Sequence, residues 1–278
     1  TELPEGFVLK VDQLNADKYN YLVWAKKVGD NWKTYKLNKE TNSVTDEEVT
    51  MLWANMIGNV TVSAISDINY RDGRSIHGIV NKHPTDQTTP DALKKADFLA
   101  MPLTPVAPTQ DGINVEFKHT MSKINLTIEL GSEYEFTQED VDTKITDVKI
   151  DGSKVEAFYH INTSNYDPQF QFSGHFGDPT PISPYRTGTK PYSKTDGKAK
   201  ATYEAILIPQ TIASGNFTVS FKVDGKLYEW TYNKELTLAS TTAYTLKLTA
   251  GDDKVQPVSF SVAAWGKGNG DGEKKETD

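Results

Sequence analysis

Histidine is the side chain most often used for metal binding and proton transfer near neutral pH, and this sequence holds five of them. They are scattered along the chain as His77, His83, His119, His160 and His175. No two have the i, i+4 spacing of a helical zinc site, and the chain has no cysteine, so the sequence predicts no metal centre. His119 has two interpretations: it contacts a ligand, or it packs at the end of a strand.

Acidic side chains are the next group able to carry chemistry, and the chain has 38 of them. Asp72, Asp178 and Asp196 fall in predicted loops, but nothing in their placement indicates the carboxylate pair, about 5 to 9.5 Å apart, that hydrolyses a glycosidic bond. No Gly-x-Ser-x-Gly motif for a nucleophilic serine occurs. We therefore predict a protein that is not an enzyme, with no catalytic residues and no cofactor.

Two stretches rich in proline and glycine, residues 69–112 and 162–200, are predicted to be long loops with few strands. The second carries six aromatic side chains, namely Tyr166, Phe170, Phe172, Phe176, Tyr185 and Tyr192. Such rings offer large apolar faces. These faces either bind a glycan or hold a long loop against the protein, and the sequence leaves both open.

Arginine occurs only at Arg71, Arg74 and Arg186. Arg71 and Arg74 flank Asp72-Gly73, a dipeptide typical of an exposed turn. The two arginines are either solvated turn charges or an accessible site for an Arg-specific protease. We name them as the candidate processing site.

The elements that hold these side chains are predicted to be β-strands. Between Lys123 and Leu130 the sequence alternates strictly between polar and apolar residues. Successive strand side chains point to opposite faces, so the apolar set is predicted to share one buried face. That set is Ile124, Leu126, Ile128 and Leu130. Ile113, Val115 and Phe117 alternate in the same way just upstream.

Similar short periods predict strands in both halves of the chain. They cover residues 7–11, 21–27, 60–68, 145–150, 155–159, 203–208, 217–223, 227–232, 244–248 and 258–264. Asp224-Gly225 fits a two-residue type I′ turn, which sets the register of a hairpin. The predicted pairs are Val223 with Lys226, Phe221 with Tyr228, Val219 with Trp230, and Phe217 with Tyr232.

Two short segments predict helix. Thr45-Asp46-Glu47-Glu48 has a capping-box pattern and predicts a helix that continues to Trp53. Thr89-Pro90 places proline at the first helical position and predicts about two turns of helix through Ala96.

Length and charge narrow the classes of function. A chain of 278 residues can bury two cores of ordinary size. A net charge of −8 argues against nucleic acid as a partner, because phosphate binding requires a basic surface. No apolar run approaches the roughly 18 residues of a membrane helix. The chain begins at Thr1 without an apolar leader, so an export signal is expected to have been removed.

The strand pattern predicts an all-β protein made of two antiparallel Greek-key β-sandwich domains with minor short helices. A polar connection opens at Gly131, so the first domain is predicted to cover residues 1–131 and the second residues 132–265. Residues 266–278 contain no apolar side chain and are predicted to be a disordered tail.

Several marks in the sequence resemble the fimbrillin family, the type V pilins of Bacteroidales. The first two are Ala96-Asp97-Phe98-Leu99-Ala100 and Phe117-Lys118-His119-Thr120-Met121-Ser122-Lys123. A third is Ile208-Pro209-Gln210, and Leu236-Thr237-Leu238 and a last strand ending at Trp265 are also similar. The marks follow the family's order over residues 96–265.

The resemblance implies two transthyretin-like sandwiches, export as a lipoprotein, and assembly into thin adhesive fibres on the outer membrane. In relatives, a protease cut after an arginine exposes an apolar groove, which a strand from the next subunit fills. Arg71 and Arg74 lie later in the chain than the usual cut. The stripe formed by Val258, Phe260, Val262 and Ala264 is either the donor strand or an ordinary core strand.

We therefore expect a structural subunit or accessory adhesin of a surface fimbria, at the cell surface or outer membrane. Its expected partners are other fimbrial subunits, joined head-to-tail by strand exchange, and a host or bacterial surface ligand or glycan. A membrane is expected to be contacted only through a lipid anchor on the precursor. The alternative is a surface glycan-binding lipoprotein with no role in fibre assembly. The stalk, anchor and tip positions all remain open.

Overall fold

The computed structural model describes residues 5–13, 17–38, 41, 43–66, 77–80, 83–110, 112–195, 197–251 and 254–265, with residues 77–80 described by their backbone. Arg71, Arg74 and the predicted tail at residues 266–278 lie outside these described residues.

Strands dominate the described residues, as predicted. The strands of the first half are β1 (Gly6–Asp12), β2 (Tyr21–Val28), β3 (Asn31–Asn38), β4 (Ser43–Glu48), β5 (Val60–Ile65), β6 (His77–Val80), β7 (Leu99–Val106), β8 (Lys118–His119) and β9 (Ser122–Leu130). Those of the second half are β10 (Ile145–Asp151), β11 (Glu156–Ile161), β12 (Phe170–Phe176), β13 (Tyr185–Lys190), β14 (Lys200–Leu207), β15 (Gln210–Ile212), β16 (Phe217–Val223), β17 (Lys226–Tyr232), β18 (Leu236–Leu238), β19 (Thr242–Gly251) and β20 (Lys254–Ala264). The helices are α1 (Pro90–Ala96) and α2 (Gln138–Lys144), and Asp17–Tyr19 form a turn of 3-10 helix.

The first sandwich is built on a seven-stranded sheet in the order β4-β3-β2-β1-β5-β7-β8. One face of this sheet packs on the three-stranded sheet β12-β11-β6, through a core that includes Val8, Ile65, Phe98, Tyr159 and Ile161. At the centre of that core the ring centroids of Phe98 and Tyr159 lie 5.0 Å apart. The second half of the chain therefore contributes β11 and β12 to this core.

The second sandwich packs the five-stranded sheet β13-β14-β9-β19-β20 against the three-stranded sheet β10-β16-β17. The small sheet β15-β18 adds Ile212, Leu236 and Leu238 to the same core. The four alternating apolar side chains of β9 are each no more than 1% exposed, which confirms the predicted buried face.

Strand β9 lies at the centre of the larger sheet of the second sandwich. It pairs antiparallel with β14 and parallel with β19, so one ladder departs from the antiparallel pairing that was predicted. Because β9 ends at Leu130, it lies on the N-terminal side of the boundary predicted at residue 131. We propose that the boundary between the two sandwiches falls near residue 121, with β11 and β12 returning to the first.

The β16–β17 hairpin confirms the predicted register. The pairs are Val223 with Lys226, Phe221 with Tyr228, Val219 with Trp230, and Phe217 with Tyr232. Asp224 and Gly225 have φ values of 49° and 81°, as a type I′ turn requires. The turn therefore places Trp230 and Tyr232 on the same face as their apolar partners.

One of the two helix predictions was wrong. Helix α1 is present, with the Thr89 hydroxyl accepting the N–H of Ala92 at 3.2 Å. The capping-box segment at residues 45–48 instead belongs to β4, where Glu47 and Glu48 form ion pairs with Lys36 and Lys33 of β3. Pairing with β3 satisfies the backbone of β4, whereas a short isolated helix without an apolar face gains little stability.

The two stretches predicted as long loops contain regular structure. Residues 69–112 include β6, α1 and β7, and residues 162–200 include β12 and β13. Strand β7 was not predicted because it contains proline, which lacks an N–H and is normally excluded from the interior of a strand. Pro102 lies where a β-bulge interrupts the β5–β7 ladder between Val62 and Ala64, so the missing N–H disrupts no regular pairing there.

A buried polar pair joins the segment before α1 to the end of β14. The Gln87 side chain is fully buried; its Oε1 accepts the N–H of Ile206 and its Nε2 donates to the Ile206 carbonyl, both at 2.8 Å. His83 Nε2 donates to the same carbonyl at 2.7 Å. Burial lowers the pKa of His83 to about 4, so the ring is neutral at pH 7.

Because His83 is buried and neutral, we expect the folded protein to lose stability in mild acid. Because the pKa of His83 falls from 6.5 in the unfolded chain to about 4 on folding, its contribution is complete above pH 6.5 and is lost as the pH falls towards 4. Between pH 7 and pH 4.5 the free energy of unfolding should fall by about 2 kcal/mol more in the native protein than in His83→Gln. Urea denaturation at both pH values measures this, with His175→Gln as control. Equal losses in the native protein and His83→Gln would contradict the assignment.

Candidate functional site

The C-terminal strand β20 forms an edge of the larger sheet in the second sandwich. It pairs with β19, and no strand in the described part of the chain pairs with its other side. Natural edge strands are usually protected by charged side chains or short length. Residues 255–264 carry no charge, and most of their side chains are exposed. Pro257 lacks an N–H and lies beside a bulge, two features that protect natural edges, but elsewhere the strand offers backbone groups without a described partner strand beside apolar side chains.

The predicted donor stripe lies on β20 and is only partly packed. Phe260 is half-buried, with its ring centroid 5.2 Å from that of Tyr232 and 6.1 Å from that of Tyr244. Val258 and Val262 are 54% and 60% exposed, and Ala264 is also exposed. One aromatic side chain thus provides most of the packing that this stripe has in its own subunit.

An apolar groove of about 660 Å³ lies on the other face of the seven-stranded sheet. Phe7, Leu9 and Val11 of β1 form its floor, and residues 49–53 and 112–117 form its sides. Trp32, at one end, is 43% exposed, and its ring centroid lies 5.1 Å from that of Phe7. The groove is open at Trp32, but its floor is largely covered, because Phe7, Leu9 and Val11 are only 6%, 3% and 2% exposed.

The second side of the groove includes a predicted strand that does not enter a sheet. Ile113, Val115 and Phe117 pack on the sheet face as their alternation predicted. Residues 112–117 nevertheless form no ladder with any described strand. This side of the groove is therefore formed by a segment that packs through its side chains rather than through a ladder.

His119 is a packed histidine, which decides between its two interpretations. Its Nδ1 lies 2.8 Å from a carboxylate oxygen of Asp97, and its ring stacks on Trp265 with centroids 3.9 Å apart and planes 7° apart. The neighbouring Thr120 hydroxyl donates to the Phe98 carbonyl at 2.6 Å. The two marks around Asp97 and His119 thus contact each other.

The Ile208-Pro209-Gln210 mark also has a structural role. Gln210 Nε2 donates to the carbonyl of Lys154 at 2.9 Å, and its Oε1 accepts the N–H of Lys154 at 2.9 Å. Ile208 packs in the core of the first sandwich. A single amide therefore satisfies both backbone groups of a distant residue, which holds the two segments together.

Other candidate residues are dispersed. Among the carboxylates, Asp178 is exposed, and Asp72 and Asp196 lie outside the described residues. Arg186 donates to the carbonyls of Asp142 and Ile145 and therefore packs locally. Across the described residues, no group of three or more acidic or histidine side chains is placed to hold a metal ion. No helix there is both long and apolar enough to cross a membrane.

The aromatic side chains expected in one long loop are divided between two strands and two connections. Phe170, Phe172 and Phe176 lie on β12 and Tyr185 on β13. Tyr166 is 49% exposed and lines an open pocket of about 480 Å³. Asn165, Asp167 and Gln169 also line this pocket, together with residues 239–242. It is a second, more polar candidate site.

Known proteins share this architecture. A family model described as fimbrillin-like matches residues 12–265. Among solved structures, the chain is similar to a candidate cell adhesion protein from Bacteroides uniformis, with a TM-score of 0.61 at 16% identity over 96% of this chain and 93% of that one. A candidate cell adhesion protein from Bacteroides ovatus gives a TM-score of 0.61 at 14% identity over 95% and 88%.

The tip fimbrial protein Mfa3 from Porphyromonas gingivalis gives a TM-score of 0.50 at 11% identity over 95% of both chains. No curated protein matches the sequence. Identities this low show a shared fold, whereas the family model covers most of the chain. With the packed motif residues and the all-β sandwiches, that match shows that this protein belongs to the fimbrillin-like family.

Proposed function

We propose that this protein is a non-enzymatic structural subunit or accessory adhesin of a surface fimbria, a type V pilus, and that it joins other subunits by strand exchange. Membership of the fimbrillin-like family supports a fimbrial or adhesive role at the cell surface. The observation that carries the assembly mode is β20, a largely exposed edge strand that carries no charge after Lys254. Export as a lipoprotein precursor is part of the same proposal.

The stripe of β20 and the groove of the first sandwich have matching chemistry. From Val258 to Ala264 the stripe is about 20 Å long, and from Phe7 to Val11 the groove floor is about 13 Å long, at roughly 3.3 Å per residue. Both present apolar side chains at every second residue. Transfer of Val258 and Val262 from water into such a groove would contribute about 1.5–3 kcal/mol for each side chain.

Backbone pairing adds to this apolar contact. We infer that an inserted strand forms main-chain hydrogen bonds along the groove, as strands do in β-augmentation complexes. The donor belongs to the second sandwich and the acceptor to the first. The contact is therefore head-to-tail, and such a contact extends into a filament unless it closes into a ring.

Processing by a protease remains part of the proposal. Arg71 and Arg74 are the proposed cleavage sites, and a trypsin-like protease would act there before exchange.

A donor-strand variant tests the assembly mode. Val262 is 60% exposed, so Val262→Lys should leave the folded monomer intact. A lysine in the groove of the next subunit would be buried without a partner, so oligomers should fall about tenfold or more. Cross-linking and electron microscopy after treatment with an Arg-specific protease, which leaves the introduced lysines uncut, measure this. Ser261→Lys, at an adjacent exposed position, is the control and should assemble normally. If the two variants assemble equally, β20 is not the donor.

An acceptor variant tests the groove independently. Trp32→Glu places a charge at the rim of the groove and should also prevent filaments. Mixed with Val262→Lys, it should form dimers that do not grow, because one chain supplies the donor and the other the groove. Val28→Glu, at a similarly exposed residue that does not line the groove, is the control. Filaments of Trp32→Glu alone would refute the groove assignment.

The second candidate function is glycan binding without fibre assembly, and the pocket at Tyr166 favours it. An exposed ring beside a carboxylate and amides is suited to a sugar, which presents both apolar faces and hydroxyl groups. On a glycan array, Tyr166→Ala should lower saturable binding about tenfold or more, since aromatic anchors dominate such contacts. Tyr185→Ala, the other tyrosine proposed from the sequence, identifies which ring is used. Binding unchanged in both variants, or absent from the native protein, removes this candidate.

A further inference from the structure

Strand β20 is held differently at its two ends. At its start, Lys254 pairs with Gly251 of β19, so a tight covalent connection holds this end in place. At its far end, Ala264 pairs with Thr242, and no connection joins the two strands there. Ladders fray from open ends. Separation of β20 from β19 must therefore begin at the Ala264 end.

Trp265 lies at that open end and anchors it to the first sandwich. Its ring stacks on His119 of β8 with centroids 3.9 Å apart, and it packs with the core of the first sandwich. Its backbone N–H donates to the Thr241 carbonyl at 2.7 Å, while the Thr241 N–H donates to the Met121 carbonyl at 3.1 Å. One residue therefore ties the end of β20 to both sandwiches.

The ring under Trp265 is itself fixed in place. His119 and Asp97 are 7% and 12% exposed at their side chains, and Asp97 lies immediately after helix α1. Lys123 adds a cation 5.9 Å from the Trp265 ring while pairing with Glu204 at 2.7 Å. The stack thus rests on buried groups, in contrast to the exposed side chains along β20.

We propose that Trp265, His119 and Asp97 form a clasp that keeps β20 in its own subunit, and that release of Trp265 is the step that makes the strand available for exchange. This inference rests on the proposed donor role of β20. The clasp prevents premature assembly, because the weakly packed strand cannot peel away while its open end is held. Trp265 is therefore a positioning residue for assembly.

Hydrogen exchange of the full chain, followed by mass spectrometry of peptides covering residues 254–265, tests the clasp. Trp265→Ala should accelerate exchange of the β20 amides roughly tenfold, because stacking of buried rings resists local opening. The β16–β17 hairpin should not change. His119→Gln, which removes the ring but retains a donor for Asp97, should have the same effect, and Trp265→Phe should restore slow exchange.

Trp24→Ala is the matched control. Trp24 is also half-buried against the core of the first sandwich, but it lies on β2. If this variant accelerates β20 as much as Trp265→Ala does, the effect is general destabilisation and the clasp is refuted. Unchanged β20 exchange in both Trp265→Ala and His119→Gln refutes it as well.

A second readout separates the clasp from the proposed function. After treatment with an Arg-specific protease, the rate at which the protein forms cross-linkable oligomers should rise about tenfold in Trp265→Ala, in parallel with hydrogen exchange. If β20 opens faster but no variant forms oligomers, the clasp holds the strand and strand exchange is refuted. If native oligomers form and Trp265→Ala accelerates neither process, strand exchange stands and the clasp is refuted.

Discussion

Main-chain pairing on both sides of β9 is the interaction on which the rest of this structure depends. β14 lies on one side of β9 and β19 on the other, and its four alternating apolar side chains face the second core. Without β9, the sheet would divide into two smaller pieces, each with an additional unpaired edge. The same segment begins directly after His119 and Met121, so it also fixes where the first sandwich meets the second.

The sheet around β9 is paired at its centre, but its edge strands pair on one side. The candidate functional surfaces lie at such an edge and on the outer face of the first sheet. Among the described residues, β20 has one partner strand and little packing, while segments outside the sheets cover the outer face of the first sheet. A strand and a groove that are both incomplete in one subunit are complementary between two. In the proposed assembly the donor and the acceptor belong to different sandwiches, so repeated exchange would extend a chain of subunits rather than close a pair.

The family marks are explained by packing rather than by chemistry. Asp97, His119 and Trp265 meet at the junction of the sandwiches, and Gln210 and Gln87 each satisfy the backbone of a distant residue with one buried amide. Replacing a glutamine in this role is expected to destabilise the fold, because removal of its amide leaves buried N–H and C=O groups without partners. Burial lowers the pKa of His83 beside Gln87, so acid is expected to weaken one of these junctions.

Local sequence signals were sufficient where one physical rule dominates. Period-two alternation predicted the buried face of β9, Asp224-Gly225 set the register of the β16–β17 hairpin, and Thr89-Pro90 marked the start of α1. They failed where tertiary contacts decide between alternatives. The segment at Thr45 forms a strand beside β3 instead of a helix. Strand β7 was not predicted because it contains prolines, and Ile113 to Phe117 lie outside any described sheet. Helix α2 was not predicted, because its capping box of Thr137 and Asp140 lies in a polar stretch that is typical of a connection.

The candidate site shows the same division. The apolar stripe of β20 could be read from the sequence, because alternation is local, and so could the type of each family mark. The sequence alone determined that the protein is all-β, lacks the motifs of common enzymes, and resembles the fimbrillin-like family. The tertiary structure decided that β20 is an exposed edge, that a groove is open on the first sheet, and that Trp265 stacks on His119. These properties depend on which strands become neighbours, and that choice is made by burial and pairing across the whole chain rather than by any single segment.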